Sequence, residues 1–476
     1  MRPGKSNARL WAITPRRAQN TGGRASLYAN RCGAGICSCF RAPAAWENPK
    51  SANLLMTVGD YMSRRITLFT RMCMAALFAS FGAAGQAATP LLPVCSWPFE
   101  VTGQGVTNVA TPDTNATYWV MPLDLNRWRQ MVIHGQYPDA RFFNFSTYTA
   151  SGSFIDSLYD AKISPDVGSA NRFTEGSPDN PGNYTVTIGA INPGSSNLLS
   201  VAGSRFAFVV YRVYLPDVGV DKTGGVGVPA VTLIDFSGSS RTLRPCPFAD
   251  AEASLGNLIL LLEAAGMTDA ARFLGQILIL ANQSPLGTCS PNQAGPTLVS
   301  FSAAVPGANF FPNPQTTYFQ TANLCFQPDE MLVIRGKAPV FPKTYTPLGG
   351  TVSQPAFDGQ IQLRYWSMCN NVGVLPYPVV ACQADAMTEI DPITQDYTYV
   401  ISNDPAPPML PAGVTWLPWG PISLPITLIF RNILPENGFV LTPDYLPIGV
   451  FCSRLQFNMR GPQGCFAAAG ISAQMP

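Results

Sequence analysis

Four arginines stand inside otherwise apolar stretches: Ala140-Arg141-Phe142-Phe143, Tyr211-Arg212-Val213-Tyr214, Leu363-Arg364-Tyr365-Trp366 and Phe430-Arg431-Asn432-Ile433. A guanidinium among aromatic and β-branched neighbours has to meet a carboxylate, backbone carbonyls or an anionic ligand, because an unpaired buried charge is costly. Two chemistries fit. One is a structural ion pair or capped loop in each half of the chain, with Asp139, Asp217, Asp396 or Glu436 as the acid. The other is a pocket in which the planar fork of Arg reads a carboxylate or phosphate through paired hydrogen bonds. Arg141, Arg212, Arg364 and Arg431 are therefore the candidate ligand-binding residues, although their recurrence at matching positions favours a supporting role.

Other chemistry is sparse. His134 is the sole histidine, which rules out a multi-histidine metal site within one chain. As a general base it would act alone, and the matching position elsewhere in the chain is Arg335. No Gly-x-Ser-x-Gly elbow is present. Asp217 and Asp221 share a Gly-bearing loop and are the candidate calcium ligands. That loop lacks a third carboxylate and the distant Glu of a helix–loop–helix site, so a plain surface turn is the simpler reading. Asp139, Asp156, Asp160 and Asp166 offer paired carboxylates for a hydrolase or isomerase acting on glycans or small acids. Trp97, Trp119, Trp128, Tyr137, Trp366, Trp416 and Trp419 would serve a sugar site only as an exposed row, and most such rings are core because each buries a large area. No cofactor is expected.

These residues sit on a repeat. Pro112-Asp113-Thr-Asn-Ala-Thr-Tyr118-Trp119 reappears as Pro312-Asn313-Pro-Gln-Thr-Thr-Tyr318-Phe319. Val132-Ile-His134-Gly135-Gln-Tyr-Pro138 reappears as Val333-Ile-Arg335-Gly336-Lys-Ala-Pro339. The three further matches join Arg141-Phe-Phe143 to Arg364-Tyr-Trp366, Asn183–Ile188 to Asp396–Ile401, and Val210–Asp217 to Ile429–Glu436. Five blocks in one order point to an internal duplication. Each block reads as strand, being short, rich in β-branched and aromatic residues, and bounded by Gly, Pro, Asn or Asp. The segments are 131–133, 142–148, 184–188 and 206–214, then 331–334, 361–368, 397–401 and 426–433. Many short strands with Pro- and Gly-bearing turns predict a mainly β protein of two related jelly-roll-like β-sandwich halves. Between them, 250–265 and a run from Thr268-Asp269 to about position 281 carry a Leu/Ile face, and predict a helical hairpin packed on a sandwich.

The start of the chain differs. From Met62 a short basic stretch containing Arg64, Arg65 and Arg71 precedes an apolar run from Met72 to Ala84, then Gly85-Gln86-Ala87 before Ala88. That order predicts a secretory signal peptide over 62–87. The run is shorter than the roughly 20 residues that span a bilayer, so the mature chain is expected to carry no transmembrane anchor. Residues 1–61 read as an unstructured extension or an unused upstream start. The remaining domains are 88–247 for the first sandwich, 248–285 for the helical linker and 286–476 for the second. The first 87 residues hold 12 of the 30 basic and 2 of the 28 acidic side chains, leaving 18 against 26. Such an acidic remainder offers no basic face to nucleic acid.

Eight of the twelve cysteines lie after position 87, and an even count in an exported chain reads as disulfides. Spacing suggests Cys369 with Cys382 across a hairpin and Cys452 with Cys465 around a C-terminal loop. Cys289 with Cys325 and Cys95 with Cys246 would then close the longer excursions.

Arg364-Tyr365-Trp366-Ser367-Met368-Cys369, Asp396-Tyr397-Thr398, Trp416-Leu417-Pro418-Trp419-Gly420 and Phe430-Arg431-Asn432-Ile433-Leu434-Pro435 together resemble a group of uncharacterised bacterial exported proteins. Their C-terminal region is a domain of unknown function. Tyr137-Pro138-Asp139-Ala140-Arg141 and Tyr211-Arg212-Val213-Tyr214 look like the same unit. The resemblance spans most of 95–455. It implies a β-rich fold in a periplasmic or secreted setting and supplies no activity. The expected function is a disulfide-bonded envelope protein that binds a small ligand or surface component.

Overall fold

The computed structural model describes residues 93–471, except positions 94, 257, 261, 264 and 265 and the stretches 175–181, 190–195, 247–255, 282–288, 290–297, 305–310, 346–359 and 405–409. The chain divides into two compact units, Met1–Gln86 and Ala87–Pro476, and all described residues belong to the second. The expected extension and signal peptide, and most of the first expected helix, lie outside the described residues.

In the first half the strands are β1 (Phe99–Val101), β2 (Ala116–Asp124), β3 (Trp128–Gln136), β4 (Ala140–Thr149), β5 (Phe154–Tyr159), β6 (Asn183–Gly189), β7 (Leu198–Leu199), β8 (Phe206–Pro216), β9 (Ala230–Asp235) and β10 (Ser240–Leu243). Helix α1 (Thr268–Ala281) follows. The second half has β11 (Val299–Ser300), β12 (Ser302–Ala303), β13 (Thr316–Gln320), β14 (Glu330–Lys337), β15 (Leu363–Val372), β16 (Val379–Ala384), β17 (Asp396–Ser402), β18 (Val414–Pro418), β19 (Ile426–Pro435) and β20 (Ile448–Ser453). Helix α2 (Arg454–Ala468) closes the described chain. All eight segments expected as strands fall on observed ones, with 361–368 starting two residues before β15.

The protein is mainly β, with four five-stranded sheets among the described residues. Sheet A runs β1-β2-β8-β4-β5 and sheet B runs β10-β9-β3-β6-β7. Sheet C runs β11-β20-β14-β17-β18 and sheet D runs β12-β13-β19-β15-β16. Neighbours are antiparallel apart from β6 with β7 and β17 with β18.

Side chains alternate across each strand, and this decides what each core contains. Trp119 and Met121 of β2, Phe143 and Phe145 of β4 and Val209, Tyr211 and Val213 of β8 meet Ile133, Val186 and Leu233 of sheet B in one core. Trp366 and Met368 of β15 and Leu428 and Phe430 of β19 meet Leu332, Ile334, Tyr399 and Ile401 of sheet C in a second. The alternate residues of sheets A and D face each other: Phe142, Tyr214 and Leu215 pack with Tyr365, Ala384 and Ile433. Strands β4, β8 and β15 are thus covered on both sides and almost wholly buried. That is why β8 is a near-continuous apolar run, and why the polar residues of β4 and β15, such as Asn144, Ser146, Ser367 and Asn370, are buried rather than turned to solvent.

Helix α1 lays Phe273, Leu274 and Ile277 on the free part of sheet A, against Phe208 and Val210. Helix α2 covers sheet C by packing Phe457, Cys465 and Phe466 on Met331, Val333 and Val400. Sequence reading expected a loop between Cys452 and Cys465, and the structure has a helix there. Ser453 caps it by accepting a hydrogen bond from the Gln456 N–H at 3.2 Å. Gly461, at φ 62°, breaks it just before Pro462, and that Gly-Pro pair hides the helix because it reads as a turn. Among the described residues no helix is long and apolar enough to cross a membrane.

Candidate functional site

Each candidate arginine reaches across to the other half of the chain, and most of the partners expected for them are not the ones they have. Arg141 of β4 donates from Nη1 to Asp385 Oδ1 at 2.9 Å and from Nε to Thr344 Oγ1 at 2.6 Å. Arg364 of β15 donates from Nη1 to Asp160 Oδ1 at 3.0 Å and from Nε to Glu436 Oε1 at 3.0 Å. Each half therefore lends an arginine to an aspartate of the other. The two aspartates are held alike. Asp160 also accepts the Phe143 and Ala161 N–H groups at 3.1 and 2.6 Å, and Asp385 those of Trp366 and Ala386 at 3.0 and 2.6 Å. Burial pushes the Asp385 carboxyl up to about 6, against the pull of Arg141 and the two N–H donors. Burial raises Asp160 as well, opposed first by Arg364.

Of the acids expected to serve these arginines, only Glu436 does. Asp139 pairs with Arg172 and Asp396 with Arg335. Asp217 is buried with neither carboxylate oxygen hydrogen-bonded. The true partners were legible in part. Tyr159-Asp160-Ala161 and Ala384-Asp385-Ala386 form a sixth matched block, lying on short 3-10 turns just after β5 and β16.

Arg212 and Arg431 form a second related pair on the facing sides of β8 and β19. Arg431 donates from Nη1 to Asp113 Oδ2 at 3.0 Å and to Cys369 Sγ at 3.0 Å, and from Nη2 to the Thr111 carbonyl at 2.8 Å. Arg212 donates from Nη1 to Ser146 Oγ at 3.2 Å, and from Nη2 to Tyr148 Oη at 2.7 Å and the Phe311 carbonyl at 2.7 Å. Each guanidinium also lies over a tyrosine ring, Arg212 over Tyr118 and Arg431 over Tyr318. Burial works against both charges. The surrounding tyrosines nevertheless hold Arg212 above its ordinary pKa, and Asp113 does the same for Arg431.

A cavity of about 80 Å³ opens between these two arginines. Its polar wall is Arg212, Arg431, Asn313 and the rings of Tyr118, Tyr214 and Tyr318. Its apolar wall includes Phe99, Val101, Val109, Ile277 and Phe311. Space of this size holds several waters or a small organic molecule. Arg141 and Arg364 do not line it.

The remaining candidates lie elsewhere. His134 is exposed on β3, with Nδ1 3.1 Å from Thr185 Oγ1, which in turn donates to Asp166 Oδ2 at 3.1 Å. Asp156 accepts the N–H groups of Ser157 and Ser200 at 2.8 Å each. Among the described residues, none of the four cavities around Arg212, Phe273, Met267 and His134 is lined by two carboxylates. Asp221 caps its own loop by accepting from Thr223 N at 2.9 Å and Gly225 N at 3.2 Å. Among the described residues the one triad within metal-ligand distance is Asp113 with Cys369 and Cys382, and those sulfurs are joined to each other. The aromatic rings are core, as expected of most of them: Trp97, Trp119, Trp128, Tyr137, Trp366 and Trp419 are buried, and Trp416 is half-buried.

Among the described residues four disulfides join Cys95 to Cys246, Cys289 to Cys325, Cys369 to Cys382 and Cys452 to Cys465. They are compatible with an exported protein. No family model and no curated protein matches the sequence. Solved structures that the chain matches include the following two. An uncharacterised protein from Burkholderia cenocepacia is 13% identical, with a TM-score of 0.46 over 76% of this chain and 84% of that one. The VPA0106 protein from Vibrio parahaemolyticus is 10% identical, with a TM-score of 0.34 over 71% of this chain and 90% of that one.

Proposed function

We propose that this is an exported, periplasmic or secreted binding protein, built from two duplicated jelly-roll-like halves that hold a small ligand or envelope component at their junction. The observation that carries the reading is the cavity between Arg212 and Arg431, walled by both halves. The duplication is supported by matching strand orders: β2-β8-β4-β5 beside β13-β19-β15-β16, and β9-β3-β6-β7 beside β20-β14-β17-β18. The exchanged Arg141–Asp385 and Arg364–Asp160 pairs support it further. Two halves clamped by buried reciprocal ion pairs form a rigid frame, and a preformed concave site with few polar groups suits ligand capture.

The test is the full chain expressed with its own leader in a bacterial host, fractionated, and purified oxidised. Mass spectrometry is expected to find the N-terminus near Ala88 in the exported fraction. Thermal unfolding is then followed against panels of sugars, lipids and organic acids. A midpoint that rises with one panel supports the reading, because a ligand bound only by the folded state stabilises it. A midpoint indifferent to all three panels refutes ligand binding.

A further inference from the structure

The two ends of the junction cavity are built alike, with one difference in charge. Asp113 accepts the Asn115 N–H at 2.9 Å, and Asn313 accepts the Gln315 N–H at 3.2 Å. Two residues upstream of each, the Thr111 and Phe311 carbonyls accept from Arg431 and Arg212. At the first end, Asp113 Oδ2 is fully used, taking Arg431 Nη1 at 3.0 Å, Tyr365 Oη at 2.8 Å and Ser367 Oγ at 2.7 Å. At the second end a neutral amide stands where the carboxylate would be, and Asn313 Nδ2 faces Tyr214 Oη at 3.4 Å.

Arg212 is consequently a 2% exposed cation whose hydrogen-bonding partners are a serine hydroxyl, a tyrosine hydroxyl and a peptide carbonyl. Among the described residues none of them is a carboxylate. A guanidinium carries five N–H donors, and three hydrogen bonds from Arg212 are formed. The cavity beside it has room for a small organic molecule and an apolar wall opposite. We infer that the cavity binds a small monocarboxylate with a compact apolar body. The carboxylate supplies at Arg212 the negative charge that Asp113 supplies at Arg431, and the body lies against Phe99, Val101 and Ile277. A single negative charge suits the site, since Arg431 is already neutralised by Asp113. This inference rests on the reading of the cavity as a ligand site and names its ligand class.

The experiment is calorimetric titration of the oxidised, exported protein with benzoate and hexanoate, and with benzamide and hexanamide as neutral partners of the same shape. Chloride and phosphate are titrated as bare anions. Both carboxylates are expected to bind at least tenfold more tightly than their amides, and the bare anions more weakly than either carboxylate. The decisive variant is Asn313→Asp, which places a carboxylate in the fold itself. It is expected to remain folded, with an unfolding midpoint at or above the parent's, and to lose at least tenfold in benzoate affinity. Arg212→Met is expected to lose binding too, and Asn313→Asp keeps the test independent of whether that variant folds. Equal binding of amides and carboxylates, tighter binding of chloride or phosphate, or unaltered benzoate affinity in Asn313→Asp overturns the carboxylate assignment and leaves the ligand site standing. Failure of every probe here and of every panel above overturns both.

Discussion

Asp385→Asn should cost more stability than Asp160→Asn, although the two aspartates occupy matching turns. In each, one carboxylate accepts two backbone N–H groups and one guanidinium from the other half. The amide keeps one acceptor oxygen and turns the other into a donor facing an N–H. It also leaves a buried cation behind, which typically costs about 3–5 kcal/mol when one partner of a buried pair is removed. The difference lies in what remains. Arg364 keeps Glu436 on its Nε at 3.0 Å, whereas Arg141 keeps only the hydroxyl of Thr344 there. Asp217, although nearby, makes no hydrogen bond to it. A charged hydrogen bond retained at Arg364 is worth about 1.5–3 kcal/mol, so we expect a loss of about 4 kcal/mol for Asp385→Asn and about 2 for Asp160→Asn. The assay is urea unfolding of oxidised protein, read as a midpoint shift at constant slope. Arg141→Met combined with Asp385→Asn should recover at least half of the single variant's loss, because removing both charges removes the stranded one. Equal losses at the two aspartates, or additive losses in the double variant, would refute the reciprocal-clamp reasoning.

Burial pushes the Asp217 carboxyl up to about 6, opposed by Arg172 and Arg141. Its folded pKa exceeds the unfolded value, so its stabilising contribution is complete below about pH 4 and is lost as pH rises through about 6. Asp217→Asn should therefore gain about 2 kcal/mol at pH 7.5 and flatten part of the decline between pH 4 and 6, with Asp385, Asp160 and Glu436, all raised by burial, contributing to what remains; urea midpoints at three pH values measure this. Gly336 lies under the Tyr397 ring as Gly135 lies under Tyr184, so a Cβ at either position overlaps a tyrosine hydroxyl. Gly336→Ala is expected to lose about 1–3 kcal/mol through overpacking. Adding Tyr397→Phe should recover part of it, since that hydroxyl has no hydrogen-bond partner, and thermal unfolding of the three variants checks this.

Local chemistry was enough to place eight of the twenty strands among the described residues. Short β-branched and aromatic runs bounded by Gly, Pro and Asp fall on β3, β4, β6 and β8 and on β14, β15, β17 and β19. Arginine in such runs also stood out correctly as unusual, because a guanidinium is improbable in a strand buried on both faces unless something answers its charge. Helix α2 escaped because its Gly461-Pro462 break carries a turn signature. Its helical identity comes from Ser453 capping and from packing on sheet C.

What the sequence by itself determined is therefore a partial inventory: eight of the strand segments, which cysteines lie near enough along the chain to pair, and which charged side chains sit among apolar neighbours. What only the tertiary structure decided is who faces whom. Strand periodicity says that Arg212 and Arg431 share a face with Tyr214 and Ile433, but not that these faces of sheets A and D press together. Nor does it say that Arg141 reaches Asp385 while Arg364 reaches Asp160. Those contacts join residues more than 200 positions apart. At that range no local preference acts, and the pairing is fixed by closure of two apolar faces whose few charges must find each other inside.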